Sequence, residues 1–231
     1  MLIKANINIR ALKAAAIAAA KDSSRPYLNG VYVKTIGQTI RYVAADGHRM
    51  IILREIVGEE IVKEPDDIPG IIIPLCDIKQ LKIDKDTDHA EIKIYKWSYS
   101  IKQSSSQHID GLLINASYPD YERLIPRKKN LSPKSKNDIA QFNAKYLADF
   151  QKAGDLFRRS KYYRKISKAK IAKITHGRSK MSPALVDFMP FCDVDGFGVI
   201  MPFALFEDLM TEPPAWLDDD HPKPITEKAN P

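Results

Sequence analysis

The chain has 231 residues, 44% of them hydrophobic and 28% charged, which bounds it at one or two domains. Its two cysteines, Cys76 and Cys192, lie far apart with no Cys or His at ligand spacing, so neither a disulfide framework nor a zinc site has support and a cytoplasmic setting is expected. Net charge is +7, but residues 127–180 carry 17 Lys and Arg against 3 acidic residues, whereas residues 206–231 carry 7 acidic against 2 basic. A field of that sign points to a polyanion, and to nucleic acid before lipid, because no apolar amphipathic anchor accompanies it and no run approaches the ~20 residues of a membrane span. A solvated basic linker is the competing reading of the same block.

The chain opens with a short extended piece and an Ala-rich helix within residues 6–22, driven by alanine propensity and expected to end by Arg25-Pro26. The Ala-rich run is too short and too weakly apolar for a secretory signal. Residues 27–34 and 39–45 alternate or run β-branched and aromatic, as strands around an Ile36-Gly37-Gln38 hairpin, and residues 48–57 form a third apolar run after the Asp46-Gly47 turn. A second pass follows: a strand at 71–73, a short helix at 75–81, and strands at 90–96, 97–103 and 109–115. A third starts at Ile139, with a helix at 145–159 and strands near 170–175, 184–189 and 198–202. Three βαβββ-like units make an α+β chain. Residues 127–138 read as a basic linker and residues 206–231 as an acidic, Pro-rich, disordered tail.

Asp46, His48 and Arg49 invite an acid–base reading, yet no nucleophile, carboxylate pair or phosphate loop accompanies them, so no catalytic residue is assigned. His89, His108, His176 and His221 are dispersed, and neither a metal nor a cofactor is expected. Tyr162-Tyr163 sits amid Arg158, Arg159, Lys161, Arg164 and Lys165, a basic and aromatic mixture that suits nucleic acid by charge and stacking. The tyrosines fit equally well as a cap of the preceding helix.

Three stretches carry a family resemblance: Arg25-Pro26-Tyr27-Leu28-Asn29-Gly30-Val31, Val43-Ala44-Ala45-Asp46-Gly47-His48-Arg49-Met50, and Tyr118-Pro119-Asp120-Tyr121-Glu122-Arg123-Leu124-Ile125-Pro126. In order and spacing they resemble the central domain of the bacterial DNA polymerase III beta subunit, the sliding clamp. Phe142-Asn143-Ala144-Lys145-Tyr146-Leu147 and Val199-Ile200-Met201-Pro202-Phe203 resemble, more faintly, parts of that family's C-terminal domain. The division this implies is a central-domain-like part at 1–126, the linker at 127–138, a partial C-terminal-domain-like unit at 139–205 and the tail.

The resemblance implies a sliding-clamp fold of βαβββ units, antiparallel sheets outside and helices on the inner face. It implies a non-enzymatic processivity or replication accessory factor that holds double-stranded DNA without reading bases and docks polymerase and clamp-loader peptides in an apolar cleft. Positions matching the cleft are Leu28, Gly47, His48, Arg49, Met50, Pro126, Val199 and Met201. DNA contacts are expected from Arg25, Tyr27, Arg158, Arg159, Arg164 and Lys165, with Tyr27 also readable as a core aromatic. A lone third unit would leave a sheet edge unpaired, to be covered either by pairing in trans, giving a homo-oligomer and a tetramer if a ring closes, or by the basic linker or acidic tail of a monomer. The alternative is a non-ring protein that competes for clamp-binding partners.

Overall fold

Strand β1 (Ile3–Asn8) runs straight into helix α1 (Ile9–Ala16), and Asn8 makes the switch, its side-chain oxygen accepting the Ala11 N–H at 3.0 Å. The computed structural model describes residues 3–21, 23–56, 70–83, 87–104, 107–133, 140–158, 172–189 and 194–203. α1 stops well short of the Arg25-Pro26 boundary expected from the sequence. The N–H groups of Ile17, Ala18 and Ala19 turn back onto the carbonyls of Ala14, Ala15 and Ala16, and Ala20 then donates to the Leu28 carbonyl at 2.9 Å. The alanines serve as small, buried turn residues there, with Ala14, Ala15 and Ala18 fully enclosed.

A 3-10 turn at Pro26–Leu28 leads into β2 (Gly30–Ile36), β3 (Thr39–Ala45) and β4 (Arg49–Ile56). The second unit repeats the order with β5 (Ile71–Pro74), α2 (Leu75–Gln80), β6 (His89–Ile94), β7 (Ser98–Ser104) and β8 (Gln107–Leu112). The two units exchange their first strands. β1 pairs with β6 in a four-stranded sheet ordered β1-β6-β7-β8, while β5 pairs with β2 in the other sheet.

The third unit contributes α3 (Ala144–Arg158), β9 (Lys173–Thr175), β10 (Ala184–Asp187) and β11 (Val194–Ile200). No strand precedes α3 within residues 140–143. β11 pairs antiparallel with β4, from Val194↔Glu55 to Ile200↔Arg49, and makes one seven-stranded sheet ordered β5-β2-β3-β4-β11-β10-β9. The unpaired edge expected of a lone third unit is therefore covered within the chain on its β11 side.

The helices form the other layer, with α1 between α2 and α3 and touching both. On α3, Phe150, Ala153 and Phe157 recur at helical spacing and are buried. Phe150 lies so close to β11 that a Cβ on Gly198 would stand 2.2 Å from its ring, so glycine is the residue that lets α3 seat on the sheet. One apolar core runs from Ile7 and Leu12 through Ile51 and Leu53 to Phe150, Phe188 and Ile200. Each such side chain contributes about 1.5–3 kcal/mol on burial. The first half of the stretch read as a linker is built into this frame: residues 128–130 form a 3-10 turn and Leu131 bridges to Gly177.

Candidate partner-peptide cleft and DNA-facing layer

The seam between β4 and β11 assembles the candidate cleft from distant parts of the chain. Side chains alternate along a strand, so Met50, Ile52 and Arg54 face away from the helices while Arg49, Ile51 and Leu53 face them. Cross-strand register then lines up Ala45, Met50, Val199 and Leu185 in one row, and Tyr32, Val43, Ile52 and Phe197 in the next. Met50 and Val199 are each 3% exposed and belong to a second buried cluster with Val43, Ile52 and Tyr121, separate from the main core. Residues 118–125 cover it: Tyr118 stacks on Tyr32 with ring centroids 4.6 Å apart, and burial raises the Tyr118 hydroxyl well above the usual phenol range.

The ladder continues past β11, where the Met201 N–H donates to the His48 carbonyl at 2.8 Å. Met201, on the face of Val199, is 41% exposed, and Phe203 is 54% exposed. His48 is exposed and stacks near-parallel on Tyr146 of α3, with centroids 6.1 Å apart. Gly47 holds a φ of +95° in the turn, and Asp46 accepts the N–H groups of His48 and Arg49 at 2.9 and 3.0 Å. The structure thus brings Gly47, His48, Met50, Val199 and Met201 together. Leu28 is buried at the end of its 3-10 turn, outside the cluster around Met50.

Arg49 is placed differently from its neighbours in the sequence. Its guanidinium points to the helix layer, donating to Asp46 at 3.1 Å, to Asp149 at 2.6 Å and to the Ile17 carbonyl at 3.0 Å, and lies 4.5 Å from the Tyr146 ring centre. One side chain therefore ties the end of α1, the Asp46 turn and α3 into a unit. Burial would raise the Asp149 carboxyl, but hydrogen bonds from Lys152 and Arg49 outweigh it and hold it below the usual carboxylate range.

Pro126 lines a neighbouring groove of about 670 Å³ on the same outer face, with Ile52, Phe197, Tyr121 and Ile125 as apolar lining. Its rim is ionic. Arg41 bonds Glu122 at 2.5 Å, and its guanidinium is held above the ordinary value chiefly by the Tyr121 hydroxyl. Arg54 pairs with Asp195. Sequence reading missed Ile52, Tyr121, Ile125 and Phe197. The period of two along β4 and β11 carries the signal for Ile52 and Phe197, two residues from Met50 and Val199.

On the helix layer, α1 offers few charges to a ligand. Arg10 is buried against Asp88 and the Leu156 carbonyl, and the Lys13 ammonium is shared by the carbonyls of Ile78 and Leu81 at 3.1 and 2.6 Å, its pKa lowered by burial. Exposed cations come instead from Lys79 of α2 and from Lys145 and Lys152 of α3. Arg25 is exposed, and its guanidinium nitrogen would stand 3.1 Å from a Cβ at Gly47, beside the turn that Arg49 ties to the end of α1. Tyr27 is half-buried, edge-on to Tyr118 at 6.3 Å. Arg158 closes α3, and Arg159, Arg164 and Lys165 lie outside the described residues, as do Tyr162 and Tyr163.

Among the described residues no three His, Cys, Asp or Glu side chains gather as a metal site. His89 contacts Glu55, His108 contacts Asp110, and His176 lies against Phe142. No helix among the described residues is long and apolar enough to cross a membrane.

The family described as DNA polymerase III beta subunit, central domain, matches residues 3–120. The beta sliding clamp of Caulobacter vibrioides (strain NA1000 / CB15N) is 30% identical over 135 residues, covering 54% of this chain and 34% of that protein. The beta sliding clamp of Escherichia coli K12 is 26% identical over 119 residues, covering 51% and 31%. The chain thus spans about a third of the length of these curated relatives. Among solved structures, the DNA polymerase III subunit beta from Pseudomonas aeruginosa superposes with a TM-score of 0.66 at 19% identity, over 87% of this chain and 66% of that one. The sliding clamp from Caulobacter crescentus gives 0.63 at 20% identity, over 88% and 66%. The α+β fold is that of the sliding clamps.

Proposed function

The chain belongs to the family of the DNA polymerase III beta subunit central domain, and from that premise we propose that it is a sliding-clamp-like processivity factor or replication accessory protein. It holds double-stranded DNA without reading sequence, docks polymerase and clamp-loader peptides in an apolar cleft, and catalyses no reaction. The observation that carries this reading is the β4–β11 seam, which sets Met50 against Val199 and leaves Met201 exposed beside His48.

An apolar floor with an exposed methionine at its open end suits a short peptide whose side chains are buried one by one. Leu28, Gly47 and Pro126 shape its surroundings, and Arg49 acts as a positioning residue that holds the Gly47-His48 turn on α3. DNA is held through phosphate contacts of the helix layer and of Arg25, with Tyr27 beside it and Arg158, Arg159, Arg164 and Lys165 following along α3 and beyond it in the sequence.

The cleft is tested by fluorescence anisotropy with a labelled peptide copied from the clamp-binding segment of a replicative polymerase. Met201→Asp, at an exposed position, is expected to weaken binding by about tenfold or more while leaving the fold intact. Equal affinity in the parent and the variant, or no binding by the parent, contradicts the assignment.

A further inference from the structure

Each unit ends on a strand at the far side of its three-strand meander: β4 ends the first, β8 the second and β11 the third. Two of these final strands, β4 and β11, pair with each other in antiparallel register. The remaining one, β8, is bonded to β7 on one side and to no strand on the other among the described residues. An edge of that kind is a template for another strand.

The backbone fixes which groups that edge offers. Leu113 donates its N–H to the Trp97 carbonyl at 3.0 Å, and the direction alternates along a strand, so Ile109 and Gly111 also turn their N–H groups toward β7. His108, Asp110 and Leu112 turn theirs outward, and their side chains are exposed on the outer face. Ile109 points the other way and is half-buried against the main core, which ends at this rim.

We propose that β8 pairs with β8 of a second copy of this chain, antiparallel about a two-fold axis through Ile109. That register places Ile109 against its own copy, closing the core rim, and sets His108 opposite Asp110 of the second copy twice over. Other registers are worse. An axis through Asp110 opposes two carboxylates, and an axis through Gly111 sets Asp110 against Leu112 and gives His108 no carboxylate. An axis between adjacent residues places an outward N–H opposite an inward one. The imidazole and carboxylate already meet within the strand, with His108 Nε2 3.2 Å from Asp110 Oδ1 and 2.7 Å from Ser100 Oγ. Pairing exchanges this contact for the cross-strand one, on a self-complementary surface of the kind that two-fold dimers need. The proposal stands on the β8 edge and is independent of the DNA- and peptide-holding reading.

Sedimentation equilibrium across the micromolar range tests it. The parent chain is expected to show a monomer–dimer equilibrium. Asp110→Pro removes an outward N–H without touching the β7 ladder and should abolish the dimer, with the circular dichroism spectrum unchanged. His108→Asp should weaken the dimer by about tenfold, and the exchange H108D/D110H should restore it, because each cross-strand pair is again one imidazole and one carboxylate. A parent chain that stays monomeric throughout, a dimer that survives Asp110→Pro, or an exchange variant as weak as His108→Asp would each overturn the proposal.

Discussion

Met50 of β4 and Val199 of β11 stand directly opposite each other across the seam, each almost fully buried, and so join the first and third units on the face away from the helices. The main core crosses the same seam on the other face. Unfolding should therefore be a single cooperative transition, and Met50→Ala should lower stability by about 2–5 kcal/mol. Urea denaturation followed by circular dichroism and by tryptophan fluorescence checks both points, since two separate transitions would show that the units fold independently.

Arg49 and Asp149 form the corresponding link on the helix side. Removing one partner of a buried ion pair leaves the other uncompensated, so Arg49→Met should cost about 3–5 kcal/mol. The pair also sets an acid limit. Because the Asp149 pKa is lowered in the folded state, its contribution is fully present above the unfolded value of about 3.9 and is lost as pH falls through the depressed folded value. Asp149→Asn should therefore narrow the stability difference from the parent chain as the solution is acidified below that range, a trend that urea midpoints at stepped pH will show.

Gly198 gives a steric test of how α3 is seated. Ala at this position would drive a methyl group into the Phe150 ring, at an expected cost of about 1–3 kcal/mol. Phe150→Leu also destabilises by itself, but the double variant should be more stable than the sum of the two costs predicts, because removing the ring removes the clash. Additive costs would contradict the close packing of α3 on β11.

Local pattern carried much of this architecture. Thr39 to Ala45 alternates at first and then runs apolar through Tyr42, Val43 and Ala44, and it becomes β3 over the expected span, while the Asp46-Gly47 turn sits where its residue types require. The early end of α1 was not legible, because it depends on distant partners, the Leu28 carbonyl for Ala20 and the Arg49 guanidinium for Ile17. The pairing of β4 with β11 was hidden for the same reason: nothing near Met50 in the chain announces Val199. The side on which Arg49 lies follows from its parity with Met50: adjacent strand residues face opposite ways, so Arg49 and Met50 cannot line one surface. Val199 and Met201 carry a short family resemblance and lie at the seam, whereas Phe197, two residues before Val199 on the same face, lies outside that stretch.

Salt dependence of DNA binding tests the central claim most directly. The logarithm of affinity for a double-stranded oligonucleotide, plotted against the logarithm of salt concentration, should fall linearly, with the same slope for unrelated sequences. Replacing Arg158, Arg159, Arg164 and Lys165 together by Gln should flatten that line, each lost phosphate contact removing about 0.9 of slope. A slope unchanged by the four substitutions would contradict the assignment of these residues, and affinity that depends on sequence or is absent at low salt would contradict the account of a protein that holds DNA through its phosphates.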